Sequence, residues 1–156
     1  MKQLLTTIAI VFAALILTGC EPKDERPGLW LSAGDSTEAF TGWQFAENVD
    51  EIFIETYPWY GLPHSTTIWS VVLDSRLYIG SYGSDKKSWE KNIARNTEAR
   101  LEIANQLYAV NVVPVEAPLL SQQVETAYFK KYDMAEVFGD DIPKWWFYSV
   151  TLRPAE

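Results

Sequence analysis

The sequence has one cysteine and one histidine, and its 13 basic residues are outnumbered by 21 acidic ones. Cys20 alone excludes any disulfide within the chain, so the fold must be held by its core. His64 has no second histidine, free thiol or spaced carboxylate cluster to join it, which excludes a histidine-headed metal site and a Ser-His pair. The acidic loop with Glu136, Asp140 and Asp141 lacks the alternate spacing of a calcium loop, so these carboxylates read as solvated and no metal is expected. No nucleophile and base stand together in any motif. The excess of negative charge opposes binding to phosphate backbones and to anionic lipid headgroups, and nucleic acid is not an expected partner.

Charge is also missing from one long stretch, Leu4 to Leu17, where Thr6 and Thr7 are the only polar residues. Lys2 precedes it and Leu17-Thr18-Gly19-Cys20 follows, the order of a bacterial lipoprotein leader. The apolar run is short for a bilayer span, so residues 1–19 are expected to be removed and Cys20 to carry the lipid. Acyl chains contribute about 0.8 kcal/mol per buried CH₂, enough for several on one residue to hold a domain at a membrane. Glu21 stands where an aspartate would signal retention at the inner membrane, so the expected location is the outer membrane, facing the periplasm, in an organism that has one. Residues 20–28 contain two prolines and many charges and read as a flexible tether; residues 29–156 form one domain.

Within that domain Glu51 to Tyr57 alternates as a strand, and Pro58 to Pro63 must be a loop. Thr66 to Leu73 and Arg76 to Ser81 form a hairpin around Asp74-Ser75. Asp85 is a candidate N-cap for a short helix ending near Asn96, with Trp89 and Ile93 on one face and Lys86, Lys87, Glu90, Lys91 and Arg95 on the others. A second hairpin joins Leu101-Ile103 to Leu107-Val113 through Ala104-Asn105-Gln106. Leu120, Val124, Tyr128 and Tyr132 mark a longer helix, about Leu119 to Tyr132, and Lys144 to Leu152 is a last strand. Leu29 to Phe45 is irregular, with one or two short strands expected. The reading is mainly β (α+β): a six-stranded antiparallel barrel with two helices.

The pieces Leu77-Tyr78-Ile79, Ser81 to Ser84, Trp89 to Asn92 and Arg100 to Ile103 follow one another in a specific order. That order resembles the split β-barrel superfamily of pyridoxamine-phosphate-oxidase-like flavoproteins and deazaflavin-dependent nitroreductases. An uncharacterised branch of small split barrels is closer still, through the helix Ala127-Tyr128-Phe129-Lys130-Lys131-Tyr132. With Leu31-Ser32 and Gly42-Trp43-Gln44-Phe45, the likeness covers most of residues 29–156. It implies a split barrel, a homodimer paired along its strands, and FMN or deazaflavin as possible cofactors. In binding members, basic residues on the strand before the hairpin and at the start of the short helix hold the cofactor's phosphate.

Carried onto this chain, the resemblance makes Tyr78, Ser81, Tyr82, Lys86, Lys87, Trp89 and Asn92 the candidate cofactor-binding residues. Each also has a plain structural role open to it: solvated charge for the lysines, barrel packing for Trp89, a backbone bond for Asn92. The strand start offers His64, Ser65, Thr66 and Thr67, without Arg or Lys. Aromatics make up 14% of the chain and serve either as barrel lining or as a stacking surface for a planar ligand. Two functions follow: a non-catalytic envelope scaffold or binding module, and, alternatively, a flavin- or deazaflavin-dependent reductase, which outside the cytoplasm would need its own electron supply.

Overall fold

The computed structural model describes residues 28–35 and 40–153. The expected leader, Cys20 and nearly all of the expected tether lie outside the described residues.

Seven strands form one sheet: β1 (Gly34–Asp35), β2 (Glu51–Thr56), β3 (His64–Leu73), β4 (Arg76–Tyr82), β5 (Glu98–Ile103), β6 (Gln106–Pro114) and β7 (Trp145–Leu152). Their order is β1-β6-β5-β2-β3-β4-β7, and a further β6–β7 ladder closes the last six into an antiparallel barrel. β1 lies outside, parallel to the first residues of β6. Both hairpin turns have two consecutive residues with positive φ: Asp74 (50°) with Ser75 (63°), and Ala104 (49°) with Asn105 (66°). Such turns match the right-handed twist of the strands they join.

The period of two along each strand separates two cores. Ile52, Ile54, Leu77, Ile79, Ala99, Leu101, Val110, Val112, Tyr148 and Val150 fill the barrel, and Trp89 and Ile93 close one mouth. The other mouth is covered by Trp43 and Ala46, beside a 3-10 turn at Gln44–Ala46, with Trp43 edge-on to Tyr108 at 5.6 Å. The alternate positions Val71, Tyr78, Trp145 and Phe147 point outward into a second cluster with Val124, Tyr128 and Tyr132.

Among the described residues three α-helices accompany the barrel: α1 (Ser88–Ile93), α2 (Pro118–Lys131) and α3 (Met134–Phe138). The expected two are α1 and α2; the third corrects the sequence reading. α3 arises because the Asp133 side chain accepts a bond from the Glu136 amide, which makes Glu136 a first-turn helix residue instead of part of a loop. Asp85 does not cap α1. Lys87 occupies that position, and the Glu90 carboxylate reaches back to its amide at 2.7 Å, one half of a capping box. Between Gly28 and Phe45 the only strand among the described residues is the two-residue β1.

α2 lies over β3, β4 and β7. Tyr128, fully buried, crosses above Gly80 and donates to the Trp69 carbonyl at 2.6 Å. A Cβ at Gly80 would meet the Tyr128 ring and hydroxyl at 3.0 Å, which is why this strand position has no side chain. At the helix end the Lys131 ammonium bonds the Val49 and Ser70 carbonyls, and the Tyr132 hydroxyl donates to that of Asp50 or Ser70. Among the described residues no helix is long and apolar enough to cross a membrane.

Candidate functional site: the split between β3 and β4

The ladder between β3 and β4 runs from Leu73↔Arg76 only as far as Ser70↔Ile79. Beyond it, the first residues of β3 pair with β2 and the last residues of β4 pair with β7, so the two edges part. A cleft of about 590 Å³ opens there, a volume within the usual range of small-molecule sites. One wall is His64 to Trp69, the other Gly80 to Tyr82 with Trp145, and the floor is Thr56 with Lys87, the cap of α1, and Ser88, Trp89 and Asn92 of that helix.

Its aromatic end is built from Trp69 and Trp145, with ring centroids 6.2 Å apart and planes inclined by 22°, and Tyr82 leans on Trp145 at 5.0 Å. Trp69 is backed by Tyr132, stacked at 4.6 Å, so its indole is held by the outer core. The middle is polar and small, with Ser65, Thr66, Thr67 and Ser81. Asn92 donates to the Thr56 hydroxyl at 3.1 Å, which fastens the floor to β2. The Ser65 hydroxyl and the Trp145 indole N–H, both in lining residues, have no hydrogen-bond partner. Three lining residues bear or can bear charge: Lys87, Glu51 and His64, whose Nε2 is 2.6 Å from the Tyr60 hydroxyl.

Glu90 sets the position of α1 beneath this cleft. Its side chain is buried, although it lies off the helix face of Trp89 and Ile93 among basic residues. Oε1 accepts from Tyr148 (2.5 Å) and Lys86 (3.1 Å), and Oε2 from Ser81 (2.8 Å) and the Lys87 amide (2.7 Å). Burial alone would raise its pKa, but these four donors outweigh it and hold the carboxyl below its ordinary value of 4.5. Burial and the neighbouring carboxylate in turn push the Tyr148 hydroxyl far above 10. Lys86 is committed to this cluster: it also bonds Tyr148 at 2.8 Å and lies 4.2 Å over the Trp146 ring.

Of the candidate residues, Ser81, Tyr82, Lys87, Trp89 and Asn92 line the cleft. Tyr78 does not: one position from inward-facing Ile79, it points outward and is buried under α2. Lys86 is drawn instead to Glu90. Gly80, Trp69 and Trp145 join the walls without having been candidates; the one signal for the β3 wall is the run His64-Ser65-Thr66-Thr67, polar and short where a buried strand would be apolar. Among the described residues no group of three or more His, Asp or Glu stands close enough to hold a metal ion.

A closed six-stranded barrel with a gap between two neighbouring strands is a split-barrel fold, the fold also of solved pyridoxamine-phosphate-oxidase-like proteins. Residues 44–148, well over half of the chain, match the family described as uncharacterized protein conserved in bacteria (DUF2255), and the chain belongs to that family. No curated protein matches the sequence. Among solved structures, a conserved hypothetical protein of Mycobacterium tuberculosis is similar at 16% identity and TM-score 0.53, over 85% of this chain and 87% of that one. HutZ, the heme storage protein of Vibrio cholerae, is similar at 13% identity and TM-score 0.52, over 72% and 87%. A candidate pyridoxamine 5'-phosphate oxidase of Listeria innocua is similar at 11% identity and TM-score 0.53, over 69% and 87%. At these identities the likeness concerns the fold.

Proposed function

We propose that this chain is a lipid-anchored binding module of the cell envelope whose split holds a planar aromatic ligand carrying at most one negative charge. The observation that carries the reading is the composition of the cleft: two near-parallel indoles at one end, small hydroxyl side chains along the middle, and Lys87 as the only lysine or arginine among its lining residues. Stacking on indole suits a flat π-system, and hydroxyl groups suit its ring heteroatoms.

The ring portion of a flavin or deazaflavin fits this volume and lining. Its phosphate does not. A phosphate monoester carries about −1.5 to −2 charge at pH 7 and calls for clustered cationic donors. Lys86 is bound to Glu90, the β3 wall has no Arg or Lys, and Glu51 lies on the lining. Heme storage is the described role of HutZ; haem, with two propionates, meets the same shortage of cations here. The reductase alternative therefore loses its main support, and a non-catalytic binding role is preferred.

Titration of the purified chain with riboflavin and with FMN tests this, with tryptophan fluorescence as the readout. Riboflavin should quench saturably at lower concentration than FMN, and Trp69→Leu should weaken that quenching. No quenching by either compound removes the reading. Anchoring at Cys20 predicts incorporation of labelled palmitate that Cys20→Ala abolishes. A homodimer belongs to the same proposal, supported by a domain-swapped dimer among the structural neighbours, and sedimentation tests it.

A further inference from the structure

The loop between β2 and β3 presents its apolar side chains to solvent. Trp59 is 82% exposed, Tyr60 52% and Leu62 45%, whereas Pro58 at the base is buried. The loop is built to hold this form. The Gly61 amide bonds the Pro58 carbonyl at 3.0 Å, closing a turn with Trp59 and Tyr60 at its tip, and the chain leaves the turn through Gly61 at a φ of 78°, a conformation that favours glycine. Trp59 packs edge-on to Tyr60 at 5.5 Å, and the Tyr60 hydroxyl is tied to His64. Residues 58–63 include no charged side chain.

The chain enters the domain at the same place. Gly28 lies against β3, where a Cβ on it would be 3.5 Å from the Ser65 carbonyl, one residue from His64. Leu29 and Trp30 follow, 37% and 58% exposed, before Leu31 is fixed by its amide to Glu55. Gly28 is eight positions after Cys20, so even a fully extended tether spans at most about 29 Å. A lipid on Cys20 thus keeps this end of the barrel close to the bilayer surface.

We infer that the Pro58–Pro63 turn is a membrane-docking element: Trp59, Tyr60 and Leu62 insert into the headgroup region of the bilayer to which Cys20 is anchored. The inference rests on the anchoring proposed above. Tryptophan and tyrosine favour that depth because an apolar ring body and a polar tip are both satisfied there. The acidic surface opposes anionic lipid, so the partner is a zwitterionic surface, engaged by apolar insertion instead of charge. Docking also turns the rim of the cleft, at His64 and Gly28, towards the headgroups.

The test uses the full processed protein reconstituted in phosphatidylcholine vesicles, with and without bromine on the upper acyl chain. Bromolipid should quench tryptophan emission. Tyr60→Ser/Leu62→Asp, which keeps every tryptophan and changes exposed positions only, should lose most of that quenching with an unchanged thermal midpoint, and Trp59→Phe should remove the quenched component. Equal quenching of wild type and double variant, with the acyl mass present on Cys20, overturns the docking inference while leaving the anchor. Absence of the acyl mass overturns the anchor and the inference together. A dimer in detergent-free sedimentation that the double variant dissolves assigns the turn to a second copy and overturns membrane docking.

Discussion

Two buried carboxylates hold two different parts of this molecule to the barrel, and they do so with opposite chemistry. Glu55 on β2 is held by a guanidinium: Arg100 Nε and Nη2 reach its two oxygens at 2.8 and 2.7 Å, with the Leu31 amide at 2.6 Å and the Tyr57 hydroxyl at 2.7 Å. The same Arg100 donates to the Leu31 carbonyl at 3.2 Å, so the pair fastens the incoming chain to the outside of β2 and β5. Glu90 is held mostly by neutral donors, and its one cation, Lys86, has a side chain 40% exposed. An ion pair fixes the incoming chain segment to the outer face of β2 and β5; a hydroxyl and amide cage fixes the helix that forms most of the cleft floor. A caged carboxylate keeps its position through geometry from several elements, so a change in any one of them is transmitted to the cleft.

The largest test breaks the first clamp. Arg100→Leu leaves Glu55 buried without its counter-charge, held only by the Leu31 amide and the Tyr57 hydroxyl, and should cost about 3–5 kcal/mol, read as a lower urea midpoint, with Glu55→Gln/Arg100→Leu recovering part of the loss. Riboflavin affinity of the still-folded fraction should fall less than in Tyr148→Phe, because Arg100 itself does not line the cleft. Tyr148→Phe removes one of four donors to Glu90 and should cost about 1.5–3 kcal/mol by the same measurement. Here ligand affinity should fall as well, because α1 is loosened under the cleft; unchanged affinity would separate the Glu90 cage from the site.

Acid should act on both clamps in the same direction. Each carboxyl has a folded pKa below its ordinary 4.5, against the pull of burial: for Glu55 through Arg100, the Leu31 amide and Tyr57, for Glu90 through Tyr148, the Lys87 amide, Ser81 and Lys86. The unfolded chain therefore binds protons first as pH falls. Their contribution is fully present above the unfolded value and is lost as pH drops through the depressed folded values. Urea midpoints measured from pH about 6 to about 3 should fall, and Glu55→Gln should flatten that fall relative to the wild type at its own midpoint. The smallest effect belongs to Lys86→Met, at most about 1 kcal/mol, because the ammonium is partly solvated and the other three donors to Glu90 remain.

Much of the barrel is legible in the sequence because local rules and burial agree there. Ile52 and Ile54, Leu77 and Ile79, and Leu101 and Ile103 alternate as half-buried strands must, and the structure uses those faces for the interior. Val124 and Tyr128 do the same for α2 at helical spacing. Glu90 was not legible: beside four basic residues it has the pattern of a solvated helix face. Its burial is decided by Ser81 and Tyr148, 9 and 58 positions away. Tyr78 misled for a related reason, since nearness in sequence to Ser81 and Tyr82 says nothing of which side of the sheet it faces.

By itself the sequence determined the six barrel strands, the hairpin turns and the stripes of α1 and α2, because each depends on side chains a few positions apart, and it carries the leader pattern at Cys20 in the same local form. Only the tertiary structure decided where β3 and β4 part company and which cations are left to face the opening. A ladder ends, and a lysine is claimed by a distant carboxylate, through contacts between segments that the chain brings together only when the barrel closes.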